Sequence, residues 1–187
     1  MKNNFLLIPI IIALLLGCSK DSNDQDPQEE TIDYETIYQE PENPFYGIPD
    51  TMSVVMVSAS IIKYNEWQNF FVWPEHSYII IWPSDNRDLD IGDVEKAIKG
   101  IAIDQNTKTE VKTGFTYKGS AISFQDLTPG KYFIAVILND NVDKGKKAYS
   151  TKEISVKQYG KIYMNKIFSN KIKDGEFEEW TNKIIEK

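Results

Sequence analysis

The sequence predicts an all-β protein, a β-sandwich of about seven or eight strands with a disordered N-terminal tether and a short C-terminal helix. Two observations carry this prediction. Short runs rich in Val, Ile and aromatic residues recur along the chain between turn-forming residues, as is typical of sandwiches. In addition, the segment 120–138, SAISFQDLTPGKYFIAVIL, has the pattern of two strands joined by a tight corner.

The predicted corner lies at 126–130, where Pro129 presets its φ angle and Gly130 tolerates a positive one. The string 127–132 has the form L-x-P-G-x-Y and resembles the tyrosine corner of β-sandwiches. In such corners the phenol, here that of Tyr132, bonds to nearby backbone. The strand after the corner is apolar at both alternating sets of positions, which predicts a central strand covered on both faces.

The other predicted strands fall within 51–62, 70–73, 76–82, 97–104, 109–113, 148–156 and 161–168. No interior helix is convincing. The segment 174–187 has a helical pattern, with Phe177, Trp180 and Ile184 on one face. We therefore expect a sandwich domain at 51–168 and a helical tail at 169–187.

The N-terminus has the pattern of an export signal, with Lys2 followed by an apolar run from Phe5 to Leu16. The run is too short to span a bilayer comfortably. Residues 15–18, Leu-Leu-Gly-Cys, resemble a bacterial lipobox, which implies cleavage after residue 17, lipidation of Cys18 and a membrane partner through the lipid anchor. An ordinary signal peptide with an incidental cysteine is the alternative.

Residues 18–50 are predicted to form a flexible tether, because 19–30 is polar, acidic and free of large apolar residues. The acidic string after Cys18 resembles the export tags of surface lipoproteins of Bacteroidota. That resemblance implies an outer-membrane protein exposed at the cell surface, and the periplasmic face is the alternative.

The net charge and the cysteine count argue against a nucleic-acid partner and against a disulfide within the chain. The formal net charge is −7, with 21 basic and 28 acidic residues. This balance argues against nucleic acid as a partner, since phosphate binding needs a basic surface. The single cysteine, Cys18, allows no disulfide within the chain.

The order of strands resembles the transthyretin-like (prealbumin-like) sandwiches, an Ig-like group that includes carboxypeptidase regulatory domains and Cna-B-like repeats. The resemblance rests on the strand 120–124, the corner 127–132, the strand through Ile137 and the run 154–156. It covers about 53–168. Some Cna-B-like domains form a Lys–Asn amide bond next to a glutamate. Val136 stands at the glutamate position, so we expect no such bond and expect Lys63 and Asn165 at the surface.

Two sets of side chains are candidates for small-ligand binding. The acidic loop 85–93 offers Asp85, Asp88, Asp90 and Asp93 as oxygen ligands for Ca²⁺, although the loop does not match an EF-hand, and no other cofactor is expected. A solvated acidic loop is the alternative. His76 is the only histidine, and we expect it at a strand edge rather than in a metal site.

Trp67, Trp73 and Trp82 lie in or beside one early segment. Aromatic rings on the face of a sandwich can stack on sugar rings, so exposed tryptophans would favour glycan binding and buried ones would indicate core. The sequence thus predicts a non-catalytic surface lipoprotein that interacts with an envelope protein or a glycan. A carbohydrate-binding module is the first alternative. A small hydrolase is the second, although no nucleophile elbow is present.

Overall fold

Two β-sheets pack face to face in the computed structural model, which describes residues 41–64, 67, 69–139 and 147–187. All of these residues belong to one unit of the chain, Asp33–Lys187. Cys18 and most of the predicted tether lie outside the described residues.

The first sheet contains β1 (Val54–Tyr64), β2 (Phe70–Pro74), β8 (Ala121–Gln125), β11 (Lys161–Phe168) and β12 (Ile184–Glu186). Its order is β12-β11-β1-β2, and β8 pairs with the first half of β1 on the side where β2 pairs with the second half. β1 and β11 run parallel. The other pairings in this sheet are antiparallel.

The second sheet has the order β10-β9-β3-β7, with β3 (Ser77–Pro83), β7 (Phe115–Gly119), β9 (Gly130–Leu138) and β10 (Tyr149–Val156). A small third sheet contains β4 (Leu89–Asp90), β5 (Ala102–Asp104) and β6 (Thr109–Val111). The predicted all-β sandwich is confirmed. The described residues form twelve strands rather than seven or eight, and four of these, β4, β5, β6 and β12, are only two or three residues long.

Two hydrophobic cores cover the two faces of β9. Tyr132, Ile134, Val136 and Leu138 pack into the core between the main sheets. Phe133, Ala135 and Ile137 pack on the other side, against residues of the small sheet and of the helix α1 (Val94–Ile98). The predicted two-sided central strand is therefore present. At its start the Tyr132 hydroxyl donates a 2.8 Å hydrogen bond to the carbonyl oxygen of Thr128.

The predicted strand at 97–104 was wrong in its first half. Residues Val94–Ile98 form the short helix α1, and the strand begins only at Ala102. The Asp93 carboxylate accepts a 2.9 Å hydrogen bond from the Lys96 backbone N–H and so caps the helix. An N-cap aspartate of this kind satisfies a backbone donor that a helix start leaves unpaired.

The predicted C-terminal helix was also wrong. Residues Ile184–Glu186 form the strand β12 on the free side of β11, and Phe177 makes an isolated bridge to Tyr149. Trp180 is buried in the sandwich core whereas Phe177 is 52% exposed, so the two rings do not share one apolar face. Pairing with an open sheet edge therefore decides the conformation here, against the helical spacing.

The chain before β1 lies against the domain. Phe45 is buried, and Tyr46 next to it is exposed. The buried Lys161 ammonium donates to the Ile48 carbonyl and to the Asp50 carboxylate, each at 2.8 Å. Residues 45–50 thus approach the start of β1 and β11.

Candidate binding surface

Half of the large exposed apolar side chains of the described residues lie on the hairpin of β1 and β2. Ten such side chains are exposed in all, and five of them belong to this hairpin. We call them the aromatic hairpin: Tyr64, Trp67, Phe70, Phe71 and Trp73. Trp67 is the most exposed of the five at 77%, and Trp73 is 52% exposed.

The pairing of β1 with β2 distributes these rings over both faces of the hairpin. Phe71 and Trp73 pair with Lys63 and Ile61, and Ile61 belongs to the sandwich core. Phe70 pairs with Tyr64 on the opposite face, since successive strand residues alternate in direction. The rings also contact one another edge to face: Phe71 and Trp73 at 5.9 Å, Tyr64 and Phe70 at 6.3 Å between centroids.

One basic side chain, that of Lys63, lies on the face of the hairpin that carries Phe71 and Trp73. The Lys63 ammonium lies 5.6 Å from the centroid of the Trp73 ring, a cation–π distance. The same ammonium is 3.6 Å from the carboxylate of the buried Glu75. The positive charge of Lys63 and the negative charge of Glu75 compensate each other, so this pair adds no net charge to the hairpin.

Trp82 does not belong to this surface, and its inclusion among the candidate ligand-binding aromatics was wrong. It is fully buried in the second core, and its Nε1–H donates a 2.9 Å hydrogen bond to the carbonyl of Gly100. Gly114 lies so close to the indole that a Cβ there would clash with Nε1. The ring is thus a packing element that joins the second sheet to the small sheet.

Three of the four aspartates of the acidic loop accept hydrogen bonds from different backbone N–H groups. The Asp85 carboxylate accepts from the Lys131 backbone N–H at 2.8 Å, and that of Asp90 accepts from Gly92 at 3.3 Å. Asp93 caps α1. Asp85 and Asp88 do line a surface pocket of about 390 Å³, but Arg87 and Lys131 line it too.

The described residues contain no group of three or more His, Cys, Asp or Glu side chains that could hold a metal ion. The structure therefore does not assemble the four aspartates into the Ca²⁺ site considered above. His76 is exposed and lies between β2 and β3, as expected of a residue at a strand end.

A buried ion pair lies on β11, on the side of β1 away from β2, and the sequence analysis missed it. Lys166 lies opposite Ala59 on β1 and is 1% exposed. Its ammonium contacts the Glu178 carboxylate at 2.7 Å and donates to the Glu179 carbonyl at 2.9 Å. Burial lowers the pKa of Lys166 below its ordinary value, and Glu178 opposes that shift.

The expectation that Asn165 lies at the surface was wrong as well. Asn165 is buried, and its side-chain oxygen accepts a 2.9 Å hydrogen bond from the Ser58 hydroxyl on the neighbouring strand. Lys63 is partly exposed beside Glu75. Alternating polar residues on β11 gave no sign of burial, because strand periodicity cannot show that both faces of this sheet are covered.

No protein-family model, curated protein or solved structure matches this chain. Within the part of the chain that the structure describes, no helix has the length and apolar character required to cross a membrane. Function is therefore inferred from the chain's own residues and their geometry.

Proposed function

We propose that this protein is a lipid-anchored, non-catalytic binding module of the bacterial cell envelope. Its anchor is Cys18, its spacer is the acidic segment that follows, and its sandwich is of the transthyretin-like type. The lipobox pattern at 15–18 and the L-x-P-G-x-Y corner support the anchor and the fold type. The aromatic hairpin supports the binding role.

The exposed area of the aromatic hairpin is the observation that carries the proposal. Aromatic side chains carry roughly 200 Å² each, so five that are about half exposed present on the order of 500 Å² to water. The rings lie on both faces of the hairpin, so about half of this area is available on each face. A partner that covers one face would contribute on the order of 6 kcal/mol before the costs of association.

The hairpin lies at the far end of β1 from the residues that lead into the domain. β1 is 11 residues long and begins where the N-terminal segment joins the domain. At about 3.3 Å per residue, its far end lies roughly 35 Å from that junction. The hairpin and the start of β1 therefore lie at opposite ends of this strand.

The location is tested by protease treatment of intact cells that express the full chain, with a Cys18→Ala control. We expect the protein to be degraded from outside, in keeping with an outer-membrane lipoprotein at the cell surface. Protection until the outer membrane is opened would place it on the periplasmic face. A Cys18→Ala protein that still fractionates with membranes would contradict the lipid anchor.

The binding surface is tested by comparing two single substitutions in the full chain. Trp73→Ala removes a ring from the hairpin, whereas Phe115→Ala removes a ring that is 62% exposed on β7. In affinity capture from envelope extracts, we expect Trp73→Ala to lose the partner and Phe115→Ala to retain it. Equal retention by both variants would show that the hairpin is not the binding surface.

Carbohydrate binding is the second candidate, because both Trp67 and Trp73 are exposed as that function requires. Indole rings at a surface can stack against the apolar faces of sugar rings. A screen of soluble polysaccharides with the folded protein tests it. We expect retention on at least one glycan and its loss in Trp73→Ala; no retention on any glycan would leave a protein partner.

A further inference from the structure

The strand β2 is a sheet edge of unusual composition. All five of its residues, FFVWP, are apolar, and none is buried. Every other edge strand of the described sheets includes a polar or charged residue. Those residues are Glu186 on β12, Ser123 and Gln125 on β8, Lys152 and Glu153 on β10, Thr116 and Lys118 on β7, Asp90 on β4 and Glu110 on β6.

Charged and polar residues on an edge normally prevent it from pairing with another chain. β2 has no such protection, and among the described residues its only strand partner is β1. No strand of the described residues pairs with the second side of its backbone.

The hydrogen-bond register shows which backbone groups point to that open side. The Glu75 backbone N–H donates to the Ala59 carbonyl at 2.9 Å. Antiparallel pairs alternate between bonded and non-bonded, so Trp73 and Phe71 also bond toward β1. The N–H and C=O groups of Phe70 and Val72 consequently point outward. Pro74 has no N–H and ends the open ladder.

We propose that β2 pairs with β2 of a second copy, antiparallel about a two-fold axis through Phe71. In this register Phe70 lies opposite Val72 of the other copy, and each such pair exchanges two hydrogen bonds. The four free groups of each copy are then all paired. Phe71 of one copy faces Phe71 of the other, beside the two Trp73 rings.

A two-fold arrangement needs only one surface that is complementary to itself, and this edge meets that condition. Its central residues form an aromatic cross-strand pair, a favourable contact in sheets. No like charges meet, because the strand carries none. The paired hairpins would present two sets of exposed rings side by side, which raises the avidity for a repetitive ligand. This dimer extends the proposed function but does not depend on the identity of the ligand.

Single cysteines in the full, lipid-anchored chain test the register in membranes of producing cells. Phe71→Cys places two thiols on the axis, in a non-hydrogen-bonded pair with Cα atoms about 4.5 Å apart, within disulfide reach. Trp73→Cys is the matched control on the same face. Its two thiols would lie roughly 13 Å apart along the strands. We expect a disulfide-linked dimer for Phe71→Cys under mild oxidation and none for Trp73→Cys.

The wild-type chain distinguishes failure of the anchor from failure of the dimer. If Cys18 is lipidated, the wild-type chain has no thiol and stays monomeric on a non-reducing gel. A wild-type dimer would contradict the anchor without touching the β2 proposal. Equal cross-linking of Phe71→Cys and Trp73→Cys, or cross-linking of neither, would overturn the β2 pairing.

A second variant tests the backbone directly. Val72→Pro removes an N–H that points away from β1, and proline is tolerated on an edge strand. Added to Phe71→Cys, it should abolish the cross-link while the thermal unfolding temperature stays close to that of Phe71→Cys alone. A cross-link that persists in the double variant would show that strand pairing does not hold the copies together.

Discussion

Two consecutive strands of this protein end in the same dipeptide but differ in burial. β2 (Phe70–Pro74) ends in Trp73-Pro74 and has no buried residue. β3 (Ser77–Pro83) ends in Trp82-Pro83 and has five buried residues, four of them consecutive. Both strands are strongly apolar, so composition does not explain the difference. β3 lies between β9 and β7, whereas β1 is the only described strand that pairs with β2.

The comparison shows that the position of a strand in its sheet decides what its apolar residues do. In β3 they hold the two cores together. In β2 similar residues remain in contact with water, where they contribute little to folding. An apolar edge that folding does not require is the part of the molecule most available for recognition.

Truncation of the two tryptophans should give the largest difference in stability between changes in β3 and in β2. Trp82→Ala removes a buried ring and its hydrogen bond to Gly100, and we expect a loss of about 3–5 kcal/mol in the free energy of unfolding. Trp73→Ala should cost about 1 kcal/mol or less, because the ring is half exposed. Urea denaturation of the two variants measures both. Similar losses would mean that the hairpin belongs to the core.

The sequence predicted the central part of the fold and could not separate core from surface aromatics. β9 was predictable because its apolar residues occupy both alternating faces and its corner carries turn residues. Trp73 and Trp82 were not distinguishable, since each ends an apolar run before a proline. Only the pairing of strands, which joins residues far apart in the chain, determines which run becomes the edge.

The helix predicted for the C-terminal segment was wrong for a related reason. The spacing of Phe177, Trp180 and Ile184 fits a helix, yet the open edge of β11 and the ion pair of Lys166 hold the segment extended. Neither constraint is local in sequence. The position of Lys166 inside the sandwich could not be predicted either, because its partner Glu178 comes from this same segment.

The buried ion pair sharpens the contrast between the closed side of the sandwich and the open hairpin. Glu178→Gln would leave the Lys166 ammonium buried without its counter-charge, and we expect a loss of about 3 kcal/mol. Lys166→Met removes the charge as well and should cost clearly less. Chemical denaturation of both variants measures the difference. If Lys166→Met were as damaging as Glu178→Gln, desolvation of the ammonium would not be the cause.

The same lysine gives a pH dependence with a defined sign. The folded protein lowers the pKa of Lys166 below its ordinary value of 10.5. Between the two values the unfolded chain binds more protons, so this group makes stability rise with pH. The rise should be confined to the window between the lowered pKa and about 10.5, and it should be absent from Lys166→Met. A wild-type stability that falls across that window in step with Lys166→Met would contradict the shift.

A small effect is expected at the corner, where the hydrogen bonds of one hydroxyl can be removed without disturbing packing. Tyr132→Phe keeps the buried ring and loses both the bond from its hydroxyl to the Thr128 carbonyl and the 3.1 Å bond with the Thr128 hydroxyl. We expect a loss of about 1–2 kcal/mol, since each such bond usually contributes about 1 kcal/mol. Tyr46→Phe is the control, because Tyr46 is 89% exposed and its substitution should not change the stability.

The corner lies at the start of β9, and the hairpin lies at the far end of β1. Tyr132→Phe should therefore lower the stability and leave the Phe71→Cys cross-link intact. A cross-link lost together with corner stability would mean that the two ends of the sandwich are coupled.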